Sequence, residues 1–350
     1  MKLILKKTLA VLLCALMLIT SFISGAFAAV SESAGMDAIR AQWSRGEGPV
    51  KNNYDIDYSF FSPVANGASD EVSYPLVIIV PGFGESTYEG EELKANDFPL
   101  WSSKEYQQKF YNGGAYILIA RAPEEAALNW DAAIIIPALK AAIDDFCSKN
   151  SNVDTTRIYL LGWSLGATGA IRLLTDYENL IAAALIFSPI YSMSAAEANA
   201  CRNKAVWLFG CKRDSIATYD LYTKASWNQL KAKTYDSSKI RLTTTETAPN
   251  TPMLFHHNTW NLALRDMTDN GGCSGVKTID GTGNEISSPS VIEWLSQQSL
   301  VVEDAPETEK ETCSHICHKD GFMAFIYQIV RFFWQIFGIE KTCSCGKAHY

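Results

Sequence analysis

Hydrophobic positions along the chain fall into short continuous runs, and between many of these runs the apolar residues recur at helical spacing. Tyr74-Pro75-Leu76-Val77-Ile78-Ile79-Val80 is apolar at every position, the pattern of a strand covered on both faces, which belongs to a parallel sheet flanked by helices. Similar runs predict strands over 116–120, 157–163, 180–190, 205–209 and 240–245. The alternating Tyr54-Asp55-Ile56-Asp57-Tyr58-Ser59-Phe60-Phe61 predicts a half-buried strand within 54–64, ending before a turn at Asn66-Gly67. Helical spacing marks 130–146, where Pro137 should kink the helix or delay its start, and also 221–232, 291–295 and the Met36, Ile39, Trp43 set. Strands alternating with helices over most of the chain predict an α/β fold with a mostly parallel, doubly wound sheet. In such a sheet, loops at the carboxyl ends of the strands hold the site. The pattern contains no internal repeat.

The two ends depart from this pattern. Lys2, Lys6 and Lys7 precede an apolar run from Leu9 to Ile19, and Ala26-Phe27-Ala28 supplies small residues for cleavage. Residues 1–28 are therefore expected to be a secretory signal, cut near Ala28, with secretion or cell-surface association as the destination. Leu13 stands before Cys14 where a lipoprotein signal would want a small residue, so lipidation is not expected. Loss of the three lysines takes the formal charge from −8 to −11, a poor basis for nucleic-acid binding. A main domain is expected over 29–300, then an acidic, proline-broken linker over 301–312, and then a tail over 313–350. Cys313, Cys317, Cys343 and Cys345, with His315, His318 and His349, could hold a structural zinc or form two disulfides. Between them, 321–339 is strongly apolar, with Gln328, Arg331 and Gln335 on one helical face. It suits a membrane interface, a partner surface or the chain's own main domain better than a membrane crossing. Cys147, Cys201, Cys211 and Cys273 are scattered, as buried small hydrophobes usually are.

The candidate chemistry centres on Gly162-Trp163-Ser164-Leu165-Gly166, which lies between an apolar strand and the helical Ala167-Thr168-Gly169-Ala170-Ile171-Arg172. Strand, sharp turn and helix around Gly-x-Ser-x-Gly form a nucleophile elbow: the serine sits on a strained hinge and the first amides of the helix face any oxyanion formed there. A serine hydroxyl needs a base, and the base needs a group to fix its tautomer. Of the five histidines, three lie in the tail, leaving His256 and His257. The chain order that accompanies such an elbow is serine, acid, histidine, which implies an acid between the serine and these histidines, on a loop after a strand. Asp214 fits; Asp176 and Asp220 are competitors on stretches read as helical. For the oxyanion, the Leu165 amide is one donor, and Phe83 in Gly82-Phe83-Gly84 is the second, with Gly84 as the alternative.

These stretches, together with Asp154-Thr155-Thr156-Arg157 and His257-Asn258-Thr259-Trp260-Asn261, resemble the α/β-hydrolase superfamily. The likeness is greatest to its secreted esterases, the group with polyhydroxybutyrate depolymerases and feruloyl and acetylxylan esterases. The resemblance covers roughly 54–298 and selects His257, the histidine followed by small polar residues and a tryptophan. It implies a serine hydrolase acting on small or polymer-derived carboxylic esters through Ser164, His257 and Asp214, with no cofactor needed for catalysis. Pro81-Gly82 stands where that group usually has His-Gly, Ala167 where it has Gly, and the acid loop lacks the usual histidine and carries one extra residue before Asp214. Two other readings are a peptidase of the same fold and an inactive hydrolase fold that serves as a surface or ligand-binding protein. Trp101, Trp163 and Phe83 are candidates for lining an apolar pocket, and 266–290 reads as an insertion.

Overall fold

The structure, a computed structural model of the full chain, describes residues 36–83, 91–93, 97–121, 130, 135–249, 256–287 and 290–300, with the backbone of 341–342 and 348–349. The chain divides into two compact units, Met1–Leu300 and Val301–Tyr350. The expected signal at 1–28, the linker at 301–312, the helix at 321–339, the tail cysteines and histidines 315 and 318 lie outside the described residues, as does Gly84. Of the second unit, the backbone shows an antiparallel pair of two-residue strands, Lys341–Thr342 and Ala348–His349. Among the described residues, no helix is long and apolar enough to cross a membrane.

Among its described residues the first unit has nine strands: β1 (Ser44–Glu47), β2 (Asp57–Phe61), β3 (Tyr74–Val80), β4 (Tyr116–Arg121), β5 (Val153–Trp163), β6 (Ala183–Phe187), β7 (Ala205–Cys211), β8 (Ile240–Thr245) and β9 (Lys277–Asp280). They form one sheet in the order β1-β2-β4-β3-β5-β6-β7-β8-β9. The six central strands, from β4 to β8 in that order, run parallel. β1 and β2 close one edge and β9 the other, all antiparallel. Every residue of β3, β6 and β7 is buried, as a strand covered on both faces requires.

Alternation along each strand divides the core in two. Leu76, Ile78, Val80, Leu160, Ile186 and Leu208 pack on one face with the helices α1 (Ile135–Lys149), α2 (Leu165–Asp176), α3 (Ala195–Ala200) and α4 (Thr223–Lys233). Val77, Ile79, Leu161, Phe187 and Phe209 pack on the other with Trp101, Trp260 and helix α5 (Val291–Ser296). This places β5, the strand that ends in the elbow, at the centre of the sheet with helices on both sides.

Some expectations are adjusted. Pro137 is the third residue of α1, in the first turn, where its missing N–H costs no helical bond; the start is delayed rather than the helix kinked. The helix predicted around Met36, Ile39 and Trp43 stops at Arg40, and the indole of Trp43 instead donates to Ser102 Oγ at 3.0 Å. The stretch 266–290 holds the edge strand β9, paired with β8 from Arg241↔Asp280 to Thr244↔Lys277. Asp220 lies in a turn ahead of α4 rather than in a helix, exposed and paired with Lys224 at 2.7 Å.

Candidate active site

The candidate groups follow the carboxyl ends of four parallel strands, β3, β5, β7 and β8, at one edge of the sheet. Ser164 follows β5 directly, with its N–H bonded to Phe187 O of β6 at 3.0 Å. Its backbone, at φ 54° and ψ −123°, lies in a region that L-residues rarely occupy. Ser164 and Leu165 are half-exposed between fully buried neighbours. The turn leaves no room for side chains beside it. A Cβ on Gly162 would sit 2.6 Å from Ala170 Cβ and 2.7 Å from Gly166 O, and one on Gly166 would collide with the carbonyl oxygens of Val80 and Pro81. Both glycines are thus required by close approach of backbone.

Asp214 lies three residues past the end of β7 and is buried. Its Oδ1 accepts from the amides of Ile216 and Ala217, each at 2.8 Å. Its Oδ2 is 2.7 Å from His257 Nδ1, with both side chains essentially removed from solvent. The carboxylate therefore has a fixed orientation, because the two amide bonds occupy one oxygen and leave the other for the imidazole. His257 Nε2 is buried and, among the described residues, has no hydrogen-bond partner, Ser164 included. Asp214 with both ring nitrogens in view defines the ring: Nδ1 faces the acid, and Nε2 is left as the open position. His256 points elsewhere, its Nδ1 2.9 Å from Ala248 O.

Gly82, at the end of β3, comes close to the elbow; a Cβ there would be 3.0 Å from the Trp163 ring and 3.3 Å from Ser164 Cβ. Phe83 follows it, half-exposed, as the last described residue before 84–90. Leu165 opens α2, so its amide has no carbonyl within the helix to bond. Of the three aromatic residues expected as pocket lining, two are core instead: Trp101 and Trp163 are buried, with Trp163 stacked on Phe98 at 4.3 Å and on Trp260 at 5.6 Å, while Phe83 is half-exposed. Trp260 in turn meets the His257 ring edge-on. Two residues that sequence reasoning passed over, Ser188 and Thr259, bond through their hydroxyls at 2.9 Å between the end of β6 and the histidine loop. The signal was available only as a Phe187-Ser188-Pro189 strand end.

Among solved structures, the chain is similar to a thermostable esterase with a TM-score of 0.57 and 17% identity, over 75% of this chain and 64% of that one. The chain has the α/β-hydrolase fold. It spans less than two thirds of that esterase's length. An esterase of Pyrococcus furiosus aligns with a TM-score of 0.46 and 16% identity over 62% of this chain and 88% of its own. An acylaminoacyl peptidase of Pyrococcus horikoshii aligns at 0.45 and 13% over 61% of this chain and 39% of its own. No protein-family model matches the chain, and no curated protein matches it by sequence. In the terms of the α/β-hydrolase fold, Ser164 occupies the elbow after the central strand, Asp214 the loop after a later strand, and His257 the loop after the last parallel one.

Proposed function

We propose that the protein is a secreted serine hydrolase that cleaves carboxylic esters through Ser164, His257 and Asp214. The observation that carries this reading is the buried Asp214–His257 bond at 2.7 Å with Nε2 left unbonded among the described residues, on the same sheet edge as a strained, half-exposed serine at an elbow. A buried ring nitrogen without a partner is costly in a finished core and useful in a site that receives a proton.

In this reading Ser164 Oγ attacks the ester carbonyl carbon while Nε2 takes its proton, and Asp214 stabilises the resulting imidazolium. The carbonyl oxygen becomes an oxyanion, held by the amides of Leu165 and Phe83. Collapse of the intermediate expels the alcohol, which takes the proton back from Nε2 and leaves an acyl-serine. Water then attacks the acyl carbon, gives its proton to Nε2, and releases the acid as Ser164 recovers its hydrogen. The Ser164–Nε2 bond forms when substrate seats and the hydroxyl turns toward the ring; catalytic hydrogen bonds are often long in unliganded sites. The substrates fitting this chemistry are small or polymer-derived esters.

A fluorophosphonate probe tests the reading. Wild type should label, and Ser164→Ala should not. An unlabelled wild type sinks the proposal and favours an inactive scaffold, while turnover of peptide amides in preference to p-nitrophenyl esters would point to a peptidase.

A further inference from the structure

The residue after β6 is a serine held in an uncomfortable backbone. Ser188 has φ 40°, in the left-handed region that glycine enters without strain and other residues do not. Its N–H donates to Phe209 O of β7 at 2.8 Å, so the turn itself is specified by backbone bonding that glycine would make equally well. The side chain has a different job. Ser188 Oγ meets Thr259 Oγ1 at 2.9 Å across 71 residues of sequence, with Ser188 1% and Thr259 0% exposed. Thr259 in turn donates its N–H to His257 O at 2.9 Å.

Asp214 holds one ring nitrogen of His257, which fixes how the imidazole is turned but not where its main chain sits. On one side of it His256 Nδ1 lies 2.9 Å from Ala248 O; on the other the main chain runs through the Thr259 N–H bond, so what Thr259 grips bears on where that main chain sits. β6 lies between β5, which carries Ser164, and β7, which leads to Asp214. A tether from β6 to the residue two past His257 therefore refers the imidazole to the same sheet edge that carries both of its partners. We propose that Ser188 and Thr259 are a positioning pair that sets the distance of His257 Nε2 from the Ser164 hydroxyl, a role that rests on the triad reading above. Neither hydroxyl touches substrate. They act through the histidine loop, as outer hydrogen bonds fix a first set of functional groups.

Kinetics of Thr259→Val, Thr259→Ser and Ser188→Gly test this on a p-nitrophenyl ester, with the fluorophosphonate labelling rate and the Tm measured beside them. Valine keeps the shape and loses the hydroxyl; serine keeps the hydroxyl; glycine removes the Ser188 hydroxyl while relieving its backbone. Small displacements of a catalytic group cost on the order of 10²-fold, so Thr259→Val and Ser188→Gly should lower kcat and labelling by roughly 10- to 100-fold with KM little changed. Thr259→Ser should restore both. Because one tether is lost in either case, the double variant should be no slower than the worse single variant. A merely structural pair would lower Tm and leave kcat alone. Wild-type kcat in folded Thr259→Val or Ser188→Gly, no rescue by Thr259→Ser, or losses that multiply in the double variant would each overturn the pairing. If wild type itself fails to label, the triad reading falls first and this inference falls with it; if wild type labels and the variants match it, only the inference falls.

Discussion

Replacing Asp214 with asparagine changes one atom and reverses one hydrogen bond. The aspartate uses Oδ1 for two amides, from Ile216 and Ala217 at 2.8 Å each, and Oδ2 for His257 Nδ1 at 2.7 Å. Asparagine can keep its oxygen on the two amides, and its NH₂ then faces Nδ1. The alternative flip gives the oxygen to the histidine and leaves two backbone donors facing an NH₂, at about 1–3 kcal/mol for each buried group left unpaired. The first orientation wins. It forces Nδ1 to accept, so the ring proton moves to Nε2, which can no longer take the proton of Ser164. A triad histidine locked in this tautomer loses about 10⁴-fold in kcat, equivalent to about 5 kcal/mol of transition-state stabilisation. The fold should survive, because the residue keeps its shape and its two amide bonds. The assay is steady-state hydrolysis of a p-nitrophenyl ester at neutral pH, with labelling rate and thermal unfolding on the same sample. Asp176→Asn and Asp220→Asn serve as controls; both side chains are exposed and should change kcat little. A folded Asp214→Asn variant retaining more than about a tenth of wild-type kcat, one step of 1.36 kcal/mol, would refute the assignment of the acid.

Three other outcomes are expected. Ser164→Gly should be inactive yet more stable, because glycine accepts φ 54° freely; release of about 1 kcal/mol of strain would raise Tm by about 2–4 °C in a domain of this size, and an unchanged or lower Tm in calorimetry counts against strain at the elbow. Gly166→Ala should lose folded yield or fall by about 3 kcal/mol or more in denaturant unfolding, since rigid carbonyls at Val80 and Pro81 block the new methyl; wild-type stability would mean the turn can open. Burial pushes the Cys147 thiol up to about 11 and those of Cys201 and Cys273 up to about 12, and it also raises Tyr159. These three thiols should therefore resist iodoacetamide at pH 8 in the native protein and react once urea unfolds the chain. Their raised native values mean that the unfolded chain sheds protons first, so stability should fall as pH rises past about 8.5, the ordinary thiol value; a flat stability curve from pH 8 to 11 would contradict this.

The architecture was largely legible because its strands are buried on both faces. Runs such as Leu76 to Val80 and Val206 to Phe209 need no partner to be recognised, since only a doubly covered strand tolerates so many consecutive apolar residues. The edge strands escaped for the opposite reason. β1 reads Ser-Arg-Gly-Glu and β9 Lys-Thr-Ile-Asp, and neither has an apolar pattern of its own. They are strands because β2 and β8 offer them unpaired backbone groups. Composition alone cannot tell a buried indole from one at a cleft, so Trp101 and Trp163 are equally candidates for pocket walls; the stack of Phe98, Trp163 and Trp260 makes Trp163 core, and the Trp101 contact with Phe110 and its bond to Leu264 O do the same for Trp101.

By itself the sequence determined the alternation of strand and helix, and with it the elbow, whose glycines, serine and following helix are local and whose geometry follows from a few adjacent φ and ψ angles. Which histidine faces the acid was a different kind of question. His256 and His257 are adjacent and chemically identical, and the residues alone leave both open, with only the family resemblance favouring His257; tertiary structure turns one toward Ala248 and the other toward Asp214, 43 positions away. The Ser188–Thr259 tether was hidden in the same way. Hydrogen bonds between loops are set by which strands become neighbours, and that order is fixed only when the whole sheet closes over its two cores.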